Sequence, residues 1–279
     1  MAPDNLLSDA YTEREDTERF STLFWQLTAA YPDSYRQLCA LLRDDIYRRP
    51  PVPQASGEPV LLIPGFLAGD WTLQVLAGWL RRMGYNPYFS GLDWNIDCPN
   101  RTGHLLRWRL NQIIRETGYP LIVFGHSLGG MLARFLGTNF PDQVRHVVTM
   151  GSPIQRTNNV SPLVLFASRV LQPFRRWRGE LPSECGTLHC NCHFNRSVIS
   201  SMPEEVGFTS VFSKQDEVVE WNASIDPERE NREVTGRHIG LIVNPQVYRI
   251  LADVLSRLQK QKREPHLTVA LSSQDDMQT

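Results

Sequence analysis

Long apolar runs are missing from this 279-residue chain, and no stretch approaches the roughly 20 residues that would span a bilayer. A surplus of either charge is missing too. Lys and Arg number 29 against 30 for Asp and Glu, a formal net charge of -1, so nothing general draws the chain toward nucleic acid or an anionic membrane. The start, Met1-Ala2-Pro3-Asp4-Asn5, lacks the basic-then-apolar layout of a secretory signal, and the expected location is cytoplasmic. Cysteines number only five, an odd count. A chain of this length needs no disulfide framework to fold, which agrees with a reducing compartment. No internal repeat is present, and the length suits one large domain with additions.

What is there is an alternation. Residues 8–49 read as two helices broken near Pro32, the second with Leu38, Leu41, Leu42 and Ile46 on one face. A proline-rich linker over 50–57 follows, so residues 1–59 form an N-terminal helical extension. From there strand and helix alternate: strands over 60–63, 86–92, 121–124 and 144–150, with helices over 71–83, 101–117 and 131–140. That order predicts a mostly parallel sheet covered by helices on both faces, an α/β fold. The alternation stops at an insertion over 154–206. Strands over 209–213 and 231–235 and a closing helix over 245–262 complete the domain, 60–262. The polar tail, 263–279, is expected to be disordered.

Gly125-His126-Ser127-Leu128-Gly129 sits between the 121–124 strand and the 131–140 helix. A serine on so tight a strand-to-helix turn has its hydroxyl pushed out of the backbone, and the flanking glycines leave room for the strained turn. Such a serine is a candidate nucleophile. It needs a base to take its proton and a carboxylate to orient that base. The elbow resembles that of the α/β hydrolases, and the resemblance implies the order serine, acid, histidine, each on a loop after a strand. Asp216 directly follows the 209–213 strand and is the expected acid, with Glu217 the runner-up. His238 follows the last strand, and of the seven histidines it alone has the right address for the base. Acyl transfer also needs donors for the oxyanion. The Leu128 amide, just after the nucleophile, is one. The Phe66 amide, in Pro64-Gly65-Phe66 after the first strong strand, is the other.

With these residues in place the chain resembles the α/β-hydrolase superfamily, and within it the bacterial triacylglycerol-lipase-like serine hydrolases. Carrying the likeness are Pro64-Gly65-Phe66, Gly125 to Gly130, Gly151-Ser152-Pro153, Asp216-Glu217-Val218-Val219 and Gly236-Arg237-His238. The histidine-glycine pair of many lipases is replaced by Pro64-Gly65, and two early strands of the full fold have no counterpart before Val60.

The resemblance places the substrate cap at the 154–206 insertion. There Ser161 can cap a helix begun by Pro162, with Val160, Leu163, Val164, Ala167, Val170, Leu171 and Phe174 forming an apolar face suited to acyl chains. Arg175-Arg176-Trp177-Arg178 reads as a solvated run, or as a transient contact with lipid headgroups at a membrane surface. Three readings stay open for the cysteines beyond it: a structural zinc held by Cys185, Cys190, Cys192 and His193, a disulfide, or unpaired thiols. The implied activity is cleavage of carboxylic esters, acyl or lipid, through an acyl-enzyme on Ser127, with no cofactor and no catalytic metal. The alternatives are acyl transfer by the same triad and a catalytically silent binding protein. Nothing in the pattern sets an oligomeric state.

Overall fold

Among the described residues six parallel strands make one sheet in the order β2-β1-β3-β4-β5-β6. They run β1 Pro59–Ile63, β2 Asn86–Phe89, β3 Leu121–His126, β4 Val144–Met150, β5 Gly207–Ser213 and β6 Glu230–Val234. The computed structural model describes residues 32–49, 55–155 and 192–260. Expectations for the first N-terminal helix, for the cap helix and basic run within 156–191, and for the tail beyond 260 fall outside these residues. The helices are α1 Pro32–Arg43, α2 Asp45–Arg48, α3 Gln74–Arg82, α4 Pro99–Thr117, α5 Leu128–Asn139, α6 His193–Ile199 and α7 Pro245–Lys260.

The strand sequences are apolar throughout because both sheet faces are covered. Every residue of β1 and β3 is buried, and alternate residues go to opposite faces. Leu62, Ile122, Phe124, Val148 and Val211 pack with α1, α3 and α7, around the fully buried Trp79 and Tyr248. Leu61, Ile63, Val123 and Val147 pack with α4, α5 and α6 on the other side. Leu38, Leu41 and Ile46 of the N-terminal helices join the first cluster. Trp79 fixes α2 further by donating its indole N–H to the Ile46 carbonyl at 2.7 Å.

Expected and observed elements differ mainly at their ends. The strand expected over 86–92 stops at Phe89 because the Asp70 carboxylate takes the backbone N–H groups of Ser90 and Gly91, at 3.2 and 2.7 Å. Helix α4 begins two residues early, at Pro99, whose missing N–H costs nothing in a first turn. It ends at Gly118, whose φ of 73° suits a left-handed cap. Helix α7 starts after Asn244, whose side chain accepts the Gln246 N–H at 2.8 Å.

The chain leaves β1 for β2 on one side, then returns to lay β3 on the other. Loops after β1 and β3 therefore diverge, and a crevice opens at the carboxyl ends of these strands. Phe66 and Ser127 lie on those two loops.

Candidate active site

Ser127 has φ 54° and ψ -122°, one of two non-glycine residues with positive φ among those described, and it precedes the first residue of α5. Such a backbone costs about 1–3 kcal/mol and persists only where its surroundings hold it. They do so here by close approach. A Cβ on Gly125 would overlap the Gly129 carbonyl, and one on Gly129 would overlap the Ile63 carbonyl of β1. The Ser127 N–H is also bound to the Met150 carbonyl at the end of β4, at 2.9 Å.

Asp216 and His238 are brought together from loops after β5 and β6. His238 Nδ1 lies 2.7 Å from Asp216 Oδ2, and the two side chains are 6% and 2% exposed. A carboxylate only accepts, so Nδ1 carries a proton, and it is the Nε2 edge of the ring that remains to exchange one. The other oxygen, Oδ1, accepts from the N–H groups of Val218 and Val219 at 2.9 and 2.8 Å, which fixes the carboxylate. Glu217, the runner-up acid, points elsewhere, and its Oε2 accepts the backbone N–H of His238 at 3.2 Å. Both triad candidates border Gly151, where a Cβ would lie 3.0 Å from Asp216 Oδ2 and 3.2 Å from His238 Nδ1. Gly151 directly follows Met150, the residue to which Ser127 is tied.

The Pro64–Phe66 turn lies against the elbow. A Cβ on Gly65 would come within 3.2 Å of Ser127 Cβ. The Phe66 N–H donates to no group among the described residues. Leu128 opens α5, so its N–H has no acceptor within the helix, and the helix start carries partial positive charge. Two donors thus flank the serine.

Three residues that motif reading passed over hold these loops. His126 is buried and places Nε2 3.0 Å from the His238 carbonyl. Burial first, and then the neighbouring His238, push its pKa down to about 3. Gln37 of α1 lies where a Cβ on Gly236 or Gly240 would overlap its amide, so the N-terminal helix backs the His238 loop. Asn95 binds the loop that carries Phe66. Gln37 and Asn95 lie outside every motif and His126 fills a variable position of the elbow; each acts through backbone groups or by filling space, which leaves no trace in residue spacing.

Of the proposed zinc set, Cys185 and Cys190 lie outside the described residues. Cys192 caps α6, and the His193 ring packs edge-on against Phe135 at 5.4 Å. Among the described residues no group of three or more His, Cys, Asp or Glu could hold a metal, and no helix is long and apolar enough to cross a membrane.

A triacylglycerol lipase of Pseudarthrobacter phenanthrenivorans is 30% identical over 108 residues, 36% of this chain and 34% of that protein. The chain spans about a third of the length of this curated relative. Among solved structures, Aspergillus fumigatus lipase B aligns with TM-score 0.54 at 16% identity, over 72% of this chain and 53% of that one. A Paleococcus ferrophilus monoacylglycerol lipase aligns with TM-score 0.50 at 15% identity, over 74% and 95% respectively. At these identities the structural likeness concerns fold alone. The profile described as alpha/beta hydrolase fold matches residues 58–205, just over half of the 279 residues. With its parallel sheet and elbow already in view, the chain belongs to the alpha/beta hydrolase fold family.

Proposed function

We propose that the protein is a serine hydrolase of carboxylic esters, of lipase or esterase type, with Ser127 as nucleophile, His238 as base and acid, and Asp216 orienting the imidazole. The observation that carries this reading is the buried 2.7 Å contact between His238 Nδ1 and Asp216 Oδ2, taken with a serine held in a strained elbow.

In the forward step His238 Nε2 takes the Ser127 hydroxyl proton as the oxygen attacks the ester carbon. The carbonyl electrons move to oxygen, and the Phe66 and Leu128 amides stabilise that oxyanion. Collapse of the tetrahedral intermediate breaks the bond to the alkoxide, which leaves as alcohol with the proton from His238. Water then repeats the sequence on the acyl-enzyme, releasing acid and restoring Ser127. Asp216 stays ionised and stabilises the imidazolium in both halves.

The names of the related lipases support an acyl or lipid ester as substrate class. The experiment is turnover of p-nitrophenyl esters of graded acyl length by the wild type and by Ser127→Ala, with fluorophosphonate labelling mapped to its residue. Loss of turnover and of labelling in the variant, with an unchanged melting curve, is the expected result. Retained turnover would overturn the assignment.

A further inference from the structure

We propose that Asn95 is a positioning residue that sets the Phe66 amide for the oxyanion, an inference that rests on the proposed ester hydrolysis. Asn95 lies between β2 and α4, away from every motif in the chain, yet three hydrogen bonds tie it to the Phe66 loop. Its side-chain Nδ2 donates to the Pro64 carbonyl at 2.8 Å. Its backbone N–H donates to the Ala68 carbonyl at 2.7 Å, and its own carbonyl accepts the Leu67 N–H at 3.1 Å. These contacts hold the chain on both sides of Phe66.

The side chain is built into the protein. Asn95 is 1% exposed, so its Nδ2 bond forms in a low-dielectric setting where losing it leaves a buried carbonyl unpaired. Leu67, next to Phe66, has φ 59°. A branched residue holds such a backbone only under constraint, and the Leu67–Asn95 bond supplies one. The supporting loop is itself anchored: Asp70 accepts from Ser90 Oγ at 2.6 Å and from the Gly91 N–H at 2.7 Å. A Cβ on Gly69 would overlap the Asp93 carbonyl, so the two loops touch at backbone distance. Nothing comparable supports the Leu128 amide, which needs no support because helix α5 fixes it. The Phe66 donor lies on a loop, and its precision depends on what the loop rests upon.

An oxyanion donor acts on the transition state more than on the bound ester, which separates this role from general support of the fold. Asn95→Ala is expected to lower kcat about 10- to 100-fold with KM within about twofold, a shade below the loss of a whole oxyanion donor. Its affinity for a trifluoromethyl ketone, which becomes a tetrahedral oxyanion on Ser127, should fall by a similar factor. Asn95→Asp keeps the shape but loses the donor, and it should show the same pattern if the alanine variant fails to fold. A folded variant with unchanged kcat, or one whose kcat falls while ketone affinity stays at the wild-type level, would overturn the proposal. Absence of ester turnover and of Ser127 labelling in the wild type would instead remove the hydrolase reading, and this inference with it.

Discussion

His126 donates its Nε2–H to the carbonyl oxygen of His238 across 3.0 Å, so the residue before the candidate nucleophile holds the backbone of the candidate base. A carbonyl only accepts, and His126 stays uncharged with its pKa pushed down to about 3, so the tautomer is fixed. Replacing it with Phe removes the shorter of two hydrogen bonds to that carbonyl, which also accepts the Leu241 N–H at 3.3 Å, a cost of about 0.5–1.5 kcal/mol, and loosens the His238 loop. His126→Phe should lower kcat/KM at least about tenfold, whereas His126→Gln, whose amide can reach the same oxygen, should keep most of the activity. Steady-state ester hydrolysis by both variants checks this, and equal rates for the two would refute it.

Acid should destabilise the fold through two buried imidazoles. Burial pushes His126 down to about 3 and His146 down to about 4, from an ordinary 6.5. Their unfolded forms bind protons below pH 6.5 while the folded forms do not, so stability is intact above that value and falls as pH drops. Each group contributes at most about 1.4 kcal/mol per pH unit. Melting temperature measured from pH 7 to 4.5 should decline, and His146→Gln should flatten the slope. A constant melting temperature across that range would contradict the account.

Asp216 and Glu217 are neighbours that meet His238 at different atoms, the ring Nδ1 and the backbone N–H, and their variants should separate. Asp216→Asn removes the charge that orients His238 and should cost on the order of 10,000-fold in kcat. Glu217→Gln keeps an oxygen for the His238 N–H and should cost less than about tenfold. Parallel kinetics on the two variants test the assignment; a larger loss for Glu217→Gln would transfer the acid role.

Arg134 on α5 and Asp226 form an ion pair of 2.7 Å with side chains 5% and 6% exposed. The same guanidinium donates to the carbonyls of Val198 and Ser200 at 2.7 and 2.9 Å, tying α5 to the end of α6. Arg134→Met leaves a buried carboxylate unpaired and should destabilise the protein by about 3–5 kcal/mol. Urea unfolding reads this directly, and a midpoint equal to the wild type would refute it.

The parts of the molecule legible in its sequence are those governed by periodicity or by a local backbone requirement. The apolar runs that became β1 and β3, the elbow glycines and the places of Asp216 and His238 after β5 and β6 are all of this kind. The sequence favoured Asp216 over Glu217 by its place after the strand, but both carboxyls follow that strand, and the loop path is what turns Asp216 toward the imidazole and Glu217 toward the His238 N–H. Asn95, His126 and Gln37 were hidden for another reason. Their partners are carbonyls, amides and glycine hollows, which any sequence could supply. The early end of β2 has the same origin, since a carboxylate from a preceding turn, Asp70, outcompetes strand pairing for two N–H groups.

The two outer strands of the sheet bear on handling as much as on architecture. At β2 the outermost ribbon contains Pro87, which offers no hydrogen to an incoming ribbon. At β6 the border reads Glu-Asn-Arg-Glu, residues 230–233, half-buried but for the exposed Glu233, and Glu230 is gripped by Arg257 at 2.7 Å. Borders of this kind discourage edge-to-edge stacking, so concentrated solutions should stay clear of fibrous aggregates while the fold is intact.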